Sequence, residues 1–516
     1  MKRFVEKYFQ FEFNKATWKK EIIGAFSTFF AMMYILSVNP NVLSSAFPSN
    51  STINYQGALF LGVALSTFIA TFLMGMYAKL PIVLAPGLGL NAFFAFTVAG
   101  QFGLGFSGAL IAVFFSGIVY FFVAITPLRK YIIQAFPKNF RIAISILIGL
   151  FITYIGLVNT GLIVSREVGP PTNIGDLTNP LVIIGLITLF IIVFLYFLNI
   201  PGAILIGILL GFLMLLITFL VTKNQNYSEA ELTKTQYLNY FVGLRNNFKI
   251  QPYGDLKEIG PLLEGSWSGI GKYFANPLFY VSIFTFFYID FFDTSGTLIL
   301  VSNLLEKDQI KTEELFKKGN IVDATGTVCG AILGSSTVTS YIESSVGIKS
   351  GARTGFTTII IAALFLLSIA IYPIFGPFFQ VKSNNLPSLQ PITGPVLILI
   401  GILIMSELAH FDWKTKIDLP VLVMTVLFGV LGFSISTGIA FGSIFYILMH
   451  KIVYPIIYVL RKQDRSETKV VDHQKLSKKE LALRFLKYEL NYPILVLGAV
   501  SVAYLVIFSL IEAKIL

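Results

Sequence analysis

Long apolar runs separated by short polar intervals dominate the chain. A helix needs about 20 apolar residues to cross the hydrocarbon core of a bilayer. Runs on that scale fall at 21–38, 57–78, 82–99, 106–126, 141–158, 180–199, 201–222, 276–301, 317–333, 335–348, 353–375, 391–408, 418–434 and 437–459. A further apolar run at 491–512 follows a charged linker at 460–490 and predicts an extra C-terminal helix, for which no role is evident. The pattern predicts an all-α polytopic membrane protein with 14 transmembrane segments.

Composition agrees. Of 516 residues, 55% are apolar and 13% charged, and Phe alone supplies 50. Soluble domains carry about 25% charged residues, so a soluble enzyme, a nucleic-acid binder and a disordered hub are excluded. The net charge of +11 then belongs to cytoplasmic loops. The arm 1–20 holds Lys2, Arg3, Lys7, Lys15, Lys19 and Lys20, which predicts a cytoplasmic N-terminus. Basic residues recur after every second span: Lys79, then Arg129 to Arg141, Lys307 to Lys318, Lys349 with Arg353, Lys414 with Lys416, and Arg461 to Arg465. The intervening loops are nearly uncharged, apart from a long extracellular loop at 223–275. The single cysteine, Cys329, excludes an intramolecular disulfide. Trp18, Trp267 and Trp413 fall at span edges, where interfacial aromatics sit.

Fourteen spans divide as 7+7, and an odd number per half inverts the second half relative to the first. Inverted repeats are a common build of secondary transporters, whose sites sit at interrupted segments in matching places. The third span reads Leu80-Pro81-Ile82-Val83-Leu84-Ala85-Pro86-Gly87-Leu88-Gly89-Leu90-Asn91. Two prolines and two glycines do not fit one ordinary helix. The sequence predicts a short extended stretch and then a half-helix starting near Pro86. The tenth span opens on Ser335-Ser336-Thr337-Val338-Thr339-Ser340, which is hydroxyl-rich and β-branched, before helix resumes. Both breaks lie about equally far into their halves, so two half-helices should aim their N-termini at one midplane site.

Four acids lie deep in the predicted spans: Asp290, Asp293, Asp323 and Glu343. An ionisable residue at the bilayer centre costs about 2.5–3.5 kcal/mol, so function is the default reading. Asp290, Asp293, Thr294 and Thr297 share one helical face, while Asn320, Asp323 and Thr327 share another beside Gly319, Gly326 and Gly330. No Lys or Arg lies at similar depth. An acid buried without a basic neighbour holds a proton readily. Such a cavity suits a neutral ligand bearing N–H groups, a cation or a proton, and disfavours an anion. His410, His450 and His473 sit at span ends or in the tail, and neither a metal-ligand spacing nor a phosphate-binding glycine loop is present. An enzyme, a bound metal and a cofactor are therefore not expected.

Four segments resemble motifs of the nucleobase:cation symporter-2 (xanthine/uracil permease) family, in its AzgA-like branch of hypoxanthine, guanine and adenine permeases. They are Ala85-Pro86-Gly87-Leu88-Gly89-Leu90-Asn91-Ala92-Phe93-Phe94, Asp290-Phe291-Phe292-Asp293-Thr294-Ser295-Gly296-Thr297, Asp323-Ala324-Thr325-Gly326-Thr327 and Thr339-Ser340-Tyr341-Ile342-Glu343-Ser344. The resemblance implies a core domain from 21–126 and 276–375 and a gate domain from 141–222 and 391–459. It implies import of purine nucleobases across the plasma membrane by proton symport, with the core moving against the gate, often as a homodimer. Asn91, Asp290 and Glu343 then look like the base-binding residues. Gly89 and Ser340 lie within the same motifs, and Phe93, Phe94, Tyr341 or Phe286 would stack on the ring. Glu343, Asp290, Asp293 and Asp323 would carry the coupled proton. A sodium-coupled nucleobase carrier, a uracil or xanthine permease and an anion carrier of the same architecture are the alternatives.

Overall fold

The structure is a computed structural model that describes residues 2–47, 55–129, 137–165, 172–222 apart from 199 and 201, 253–305 apart from 268, 309–375, 389–432 and 435–454, with a few isolated positions elsewhere. The expected C-terminal helix 491–512, the linker 460–490 and most of the loop 223–275 lie outside the described residues.

Helices form where the apolar runs predict them. After α1 (Lys2–Tyr8), the first span is α2 (Trp18–Met32) and α3 (Ile35–Ser44). Then come α4 (Gln56–Leu73), α5 (Leu88–Ala92), which continues as a wider helical turn over Phe93–Gln101, and α6 (Gly105–Ile125). Next are α7 (Lys138–Asn159), α8 (Pro180–Phe197) and α9 (Ala203–Thr222). The short α10 (Ile259–Trp267) precedes α11 (Pro277–Leu304) and α12 (Gln309–Ile332). The rest are α13 (Ser344–Lys349), α14 (Gly355–Leu367), α15 (Tyr372–Phe375), α16 (Gly394–Met405), α17 (Leu419–Leu431) and α18 (Ile435–Ile447).

Side chains set several helix starts. Thr17 Oγ1 accepts from Lys20 N–H at the start of α2, and Thr354 Oγ1 accepts from Phe356 N–H at the start of α14. Asn179 does the same for Leu181 N–H, just before Pro180 at the first helical position, where a missing N–H costs nothing. Among the described residues, six segments are long and apolar enough to cross a membrane: 18–44, 56–78, 105–125, 138–159, 180–197 and 203–222. Shorter apolar helices occupy 88–101, 355–371, 394–410 and 437–453. Helices α11 and α12 are 28 and 24 residues long and carry the acidic motifs.

The described residues form two compact units, 1–126 with 152–401, and 127–151 with 402–516. In the first, Ala70, Met74, Leu84, Leu298, Val322 and Val338 pack into one apolar cluster that joins α4, α11 and α12 to two short strands. In the second, Ile142, Ala143 and Ile146 of α7 pack on Phe411 and Leu422. There Asn139 Nδ2 donates to Asp418 Oδ2 at 2.7 Å, and His450 Nε2 lies 2.6 Å from Asp418 Oδ1.

Both expected extended stretches are present. They are β1 (Leu84–Pro86) and a second strand, Val338–Ser340. A separate hairpin pairs Ile163–Ser165 with Thr172–Ile174. The half-helix after β1 starts at Leu88, two residues beyond Pro86. Pro86 is the last residue of the strand, and Gly87, still extended at φ −71° and ψ 121°, takes the cap position.

Candidate functional site

Two chain segments about 250 residues apart meet at the centre of the first unit. β1 pairs antiparallel with Val338–Ser340 in the register Leu84↔Ser340, Ala85↔Thr339 and Pro86↔Val338. Backbone bonds continue the pairing beyond the strands. Gly87 N–H donates to the Thr337 carbonyl at 3.1 Å, and Tyr341 N–H donates to the Val83 carbonyl at 2.9 Å. Side chains serve the groups that strand pairing leaves over. Val83 N–H donates to Ser344 Oγ, and Leu84 N–H donates to Thr71 Oγ1. Irregular backbone at membrane depth survives only when buried in protein or lining a cavity, and all six strand residues are buried. Glycines make the approach close: a Cβ on Gly330 would lie 2.7 Å from the Ser336 carbonyl oxygen, and one on Gly87 would lie 2.8 Å from Thr339 Cγ2.

The polar faces read from the sequence converge on this crossing. From α11, Thr294 Oγ1 lies 2.9 Å from Thr339 Oγ1, and Thr297 Oγ1 donates to the Ser340 carbonyl at 3.1 Å. From α12, Thr327 Oγ1 lies 2.8 Å from Asp290 Oδ2 and 3.0 Å from the Val338 carbonyl oxygen. Ser340 Oγ donates to Asp323 Oδ1 at 3.1 Å. Asp290 and Asp323 are 1% and 0% exposed, yet Asp290 Oδ1 and Asp323 Oδ2 make no hydrogen bond of ordinary geometry, the Thr339 and Thr294 hydroxyls being the further donors beside the two carboxylates. Asp293 is different: it is exposed, with Thr339 Oγ1 at 3.5 Å from its Oδ2.

Glu343 caps α13 and is half-buried. Its Oε1 accepts from the Tyr34 hydroxyl at 3.0 Å. Asn91, on α5, is fully buried, and its carboxamide is engaged on both sides: Nδ2 donates to Asn39 Oδ1, and Oδ1 accepts from Ser336 Oγ. Gly89 is half-buried one turn before Phe93, whose N–H donates to its carbonyl. Phe93 is 0% exposed and meets Phe286 edge-on at 4.8 Å, and Phe94 packs edge-on against Phe106 at 5.2 Å. These rings are packed among one another. Tyr341 is buried, and its hydroxyl donates to the Pro86 carbonyl at 2.5 Å.

The structure thus brings Asn91, Asp290, Asp323, Ser340, Tyr341 and Glu343 onto or beside one crossing. It also adds Tyr34 and Asn39, and it sets Ser336 and Thr327 of the predicted polar stretches directly against Asn91 and Asp290. Of the two additions, Asn39 had a visible signal, because Asn39-Pro40-Asn41 interrupts an otherwise apolar first span. Tyr34 had none. Chemically, the site offers carboxylates and hydroxyls without a cation: no lysine or arginine pairs with Asp290, Asp323 or Glu343 among the described residues.

A family model described as a permease family, Xan_ur_permease, matches residues 19–441. The chain belongs to this family, the nucleobase:cation symporter-2 permeases. It is therefore an integral membrane transporter and not an enzyme. The motif resemblance holds. The chain is 34% identical over 471 residues to the guanine/hypoxanthine permease PbuG of Bacillus subtilis, covering 88% of this chain and 97% of that one. It is 32% identical over 453 residues to the adenine permease AdeP of Escherichia coli, covering 86% and 90%. Among solved structures, the transmembrane domain of the cyanobacterium bicarbonate transporter BicA matches with a TM-score of 0.50 at 13% identity, covering 82% of this chain and 96% of that one. SLC26A9 matches with a TM-score of 0.50 at 11% identity, covering 87% and 69%. At such identities the likeness establishes a shared membrane-transporter fold and says nothing of the cargo.

Proposed function

We propose that this permease imports purine nucleobases, guanine and hypoxanthine ahead of adenine, together with protons across the plasma membrane. The observation that carries the reading is the set of uncompensated acids at the strand crossing. A purine offers ring N–H donors to Glu343 and Asp290, and it offers carbonyl and ring-nitrogen acceptors to a carboxamide. Asn91 serves as that carboxamide through its second Nδ2 N–H, the first being donated to Asn39 Oδ1. Gly89, Ser340, Phe93 and Tyr341 form the surrounding wall. A buried anion receptor would need cationic or N–H donors, and these acids would repel its ligand.

The proton finds acceptors at the unpartnered oxygens of Asp290 and Asp323. Thr327 supports this role. Its hydroxyl has one proton but two acceptors within reach, Asp290 Oδ2 and the Val338 carbonyl. A proton on Asp290 Oδ1 makes Oδ2 a weaker acceptor, so Thr327 turns its own proton to the strand carbonyl and binds it more firmly. Proton occupancy is thereby tied to the strand that holds Ser340 and leads to Glu343. Glu343 itself and Asp293 are further proton carriers in this scheme. Transport proceeds through fourteen spans in two inverted halves, with the core (21–126 and 276–375) moving against the gate (141–222 and 391–459). The N-terminus is cytoplasmic and the working unit is a homodimer. The names borne by PbuG and AdeP support the choice of cargo.

The test is uptake of labelled hypoxanthine by cells expressing the full chain. Unlabelled guanine and adenine should compete, guanine more strongly, while uracil, sulfate and bicarbonate should not. Competition by bicarbonate or sulfate in place of purines would overturn the reading. Glu343→Gln should insert normally and abolish uptake.

A further inference from the structure

The first span contributes to the site in a way that its sequence does not announce. It tightens midway: α2 ends at Met32 and α3 begins at Ile35, with Met33 and Tyr34, both still in right-handed helical conformation, forming the joint. Tight backbone bonds close that joint, from Leu36 N–H to the Met33 carbonyl and from Ser37 N–H to the Tyr34 carbonyl. Pro40, inside α3, has no N–H to return to Leu36. Tyr34 is 2% exposed, and its hydroxyl donates to Glu343 Oε1 at 3.0 Å, across 309 residues of sequence. Asn39 sits further along the same half-helix and accepts from Asn91. One short helix therefore holds both residues through which the two broken segments are proposed to read the base.

We infer that Tyr34 is a positioning residue for Glu343, and that the joint in the first span forms a third wall of the site. The inference rests on the proposed role of Glu343 in binding the base. A glutamate side chain has three rotatable bonds, and one at a helix cap is free to swing. A buried phenol turns about two, is held by its packing, and needs a polar partner. Its donated bond fixes one carboxylate oxygen and thereby the direction of the other. Hydrogen bonds to charged acceptors are the stronger class, so their loss should show in ligand affinity.

Tyr34→Phe removes only the hydroxyl. In proteoliposomes holding the full-length protein, it should raise the KM for guanine and hypoxanthine roughly tenfold. KM does not depend on how much protein inserts, so a lower yield leaves the result readable. In a Glu343→Asp background, whose shorter carboxylate no longer reaches the phenol, Tyr34→Phe should add no further change. A wild-type KM in Tyr34→Phe, or an undiminished effect on top of Glu343→Asp, would overturn the inference. Glu343→Gln measured in parallel separates the two levels. Wild-type uptake in that variant removes the base-binding role of Glu343 itself. Lost uptake there with unchanged KM in Tyr34→Phe removes only the positioning role of Tyr34.

Discussion

Glu21 and Asp323 are both carboxylates with 0% exposure, and they illustrate opposite fates. Glu21 is fully served. It accepts from Arg353 N–H at 2.9 Å, from Thr354 Oγ1 at 2.9 Å and from Thr357 Oγ1 at 2.6 Å, and so fastens α2 to the start of α14. Asp323 has Ser340 on one oxygen, while its Oδ2 makes no hydrogen bond of ordinary geometry. A satisfied acid does structural work, and an unsatisfied one invites a proton. Glu21→Ala should therefore lower stability by about 3 kcal/mol, the scale of lost charged hydrogen bonds and orphaned donors, while the KM of the surviving protein stays near wild type. Thermal unfolding in detergent beside initial-rate uptake would check both halves. Asp323→Asn should do the reverse. The amide keeps an acceptor for Ser340 and supplies a donor, which imitates a protonated acid permanently. Purified protein should still bind the base, yet cells should no longer accumulate it against a gradient. Lost binding, or undiminished accumulation, would remove Asp323 from the coupling route.

At the level of elements, the strand crossing is the feature on which the site depends, and small residues permit it. Gly330→Val would press into the Ser336 carbonyl oxygen and into Val338 Cγ2, at 2.7 and 2.8 Å from the new Cβ. Overpacking of this kind costs roughly 1–3 kcal/mol. Here it pushes directly on the segment leading to Ser340 and Glu343, so uptake should fall at least tenfold in protein that still reaches the membrane. Gly296→Ala on α11 is the control, since nothing lies within 4 Å of the new methyl group. Equal loss in both variants would show that the crossing is not the sensitive point. Both breaks were legible because Pro81, Pro86, Gly87 and Gly89 on one side, and the hydroxyl run from Ser335 to Ser340 on the other, conflict with an uninterrupted helix. The helix start at Leu88 was harder to read. Pro86 suits a first helical turn and a strand end equally well, and only its pairing with Val338 decides between them. The joint at Met33 and Tyr34 was not legible, because both residues suit an apolar helix and the hydroxyl's partner lies in the other half of the chain. Long-range partners of this kind leave no mark in a single sequence. The packing of Phe93 on Phe286 and of Phe94 on Phe106 was hidden for the same reason.

For the whole molecule, the proposed coupling has an electrical consequence. A purine base is neutral near pH 7, so a base entering with one proton carries one positive charge across the bilayer. That charge is worth about 2.3 kcal/mol per 100 mV of membrane potential, equivalent to roughly a 50-fold concentration ratio. Proteoliposomes with equal pH on both sides and an inside-negative potassium diffusion potential should therefore accumulate guanine well above the bath. Adding the base under these conditions should make the external medium more alkaline, and a proton ionophore alone should allow only equilibration. Replacing sodium with choline should change nothing. The acids themselves make this test discriminating, because a carboxylate pocket without a cationic partner accommodates a sodium ion as readily as a proton by charge alone. The two differ in geometry. Sodium requires several oxygen ligands around one point, whereas a proton needs a single free oxygen, which is what Asp290 Oδ1 and Asp323 Oδ2 each provide. Accumulation that follows the sodium gradient and survives the ionophore would show that these oxygens serve a metal ion, and proton symport would then have to be given up even with the purine cargo intact.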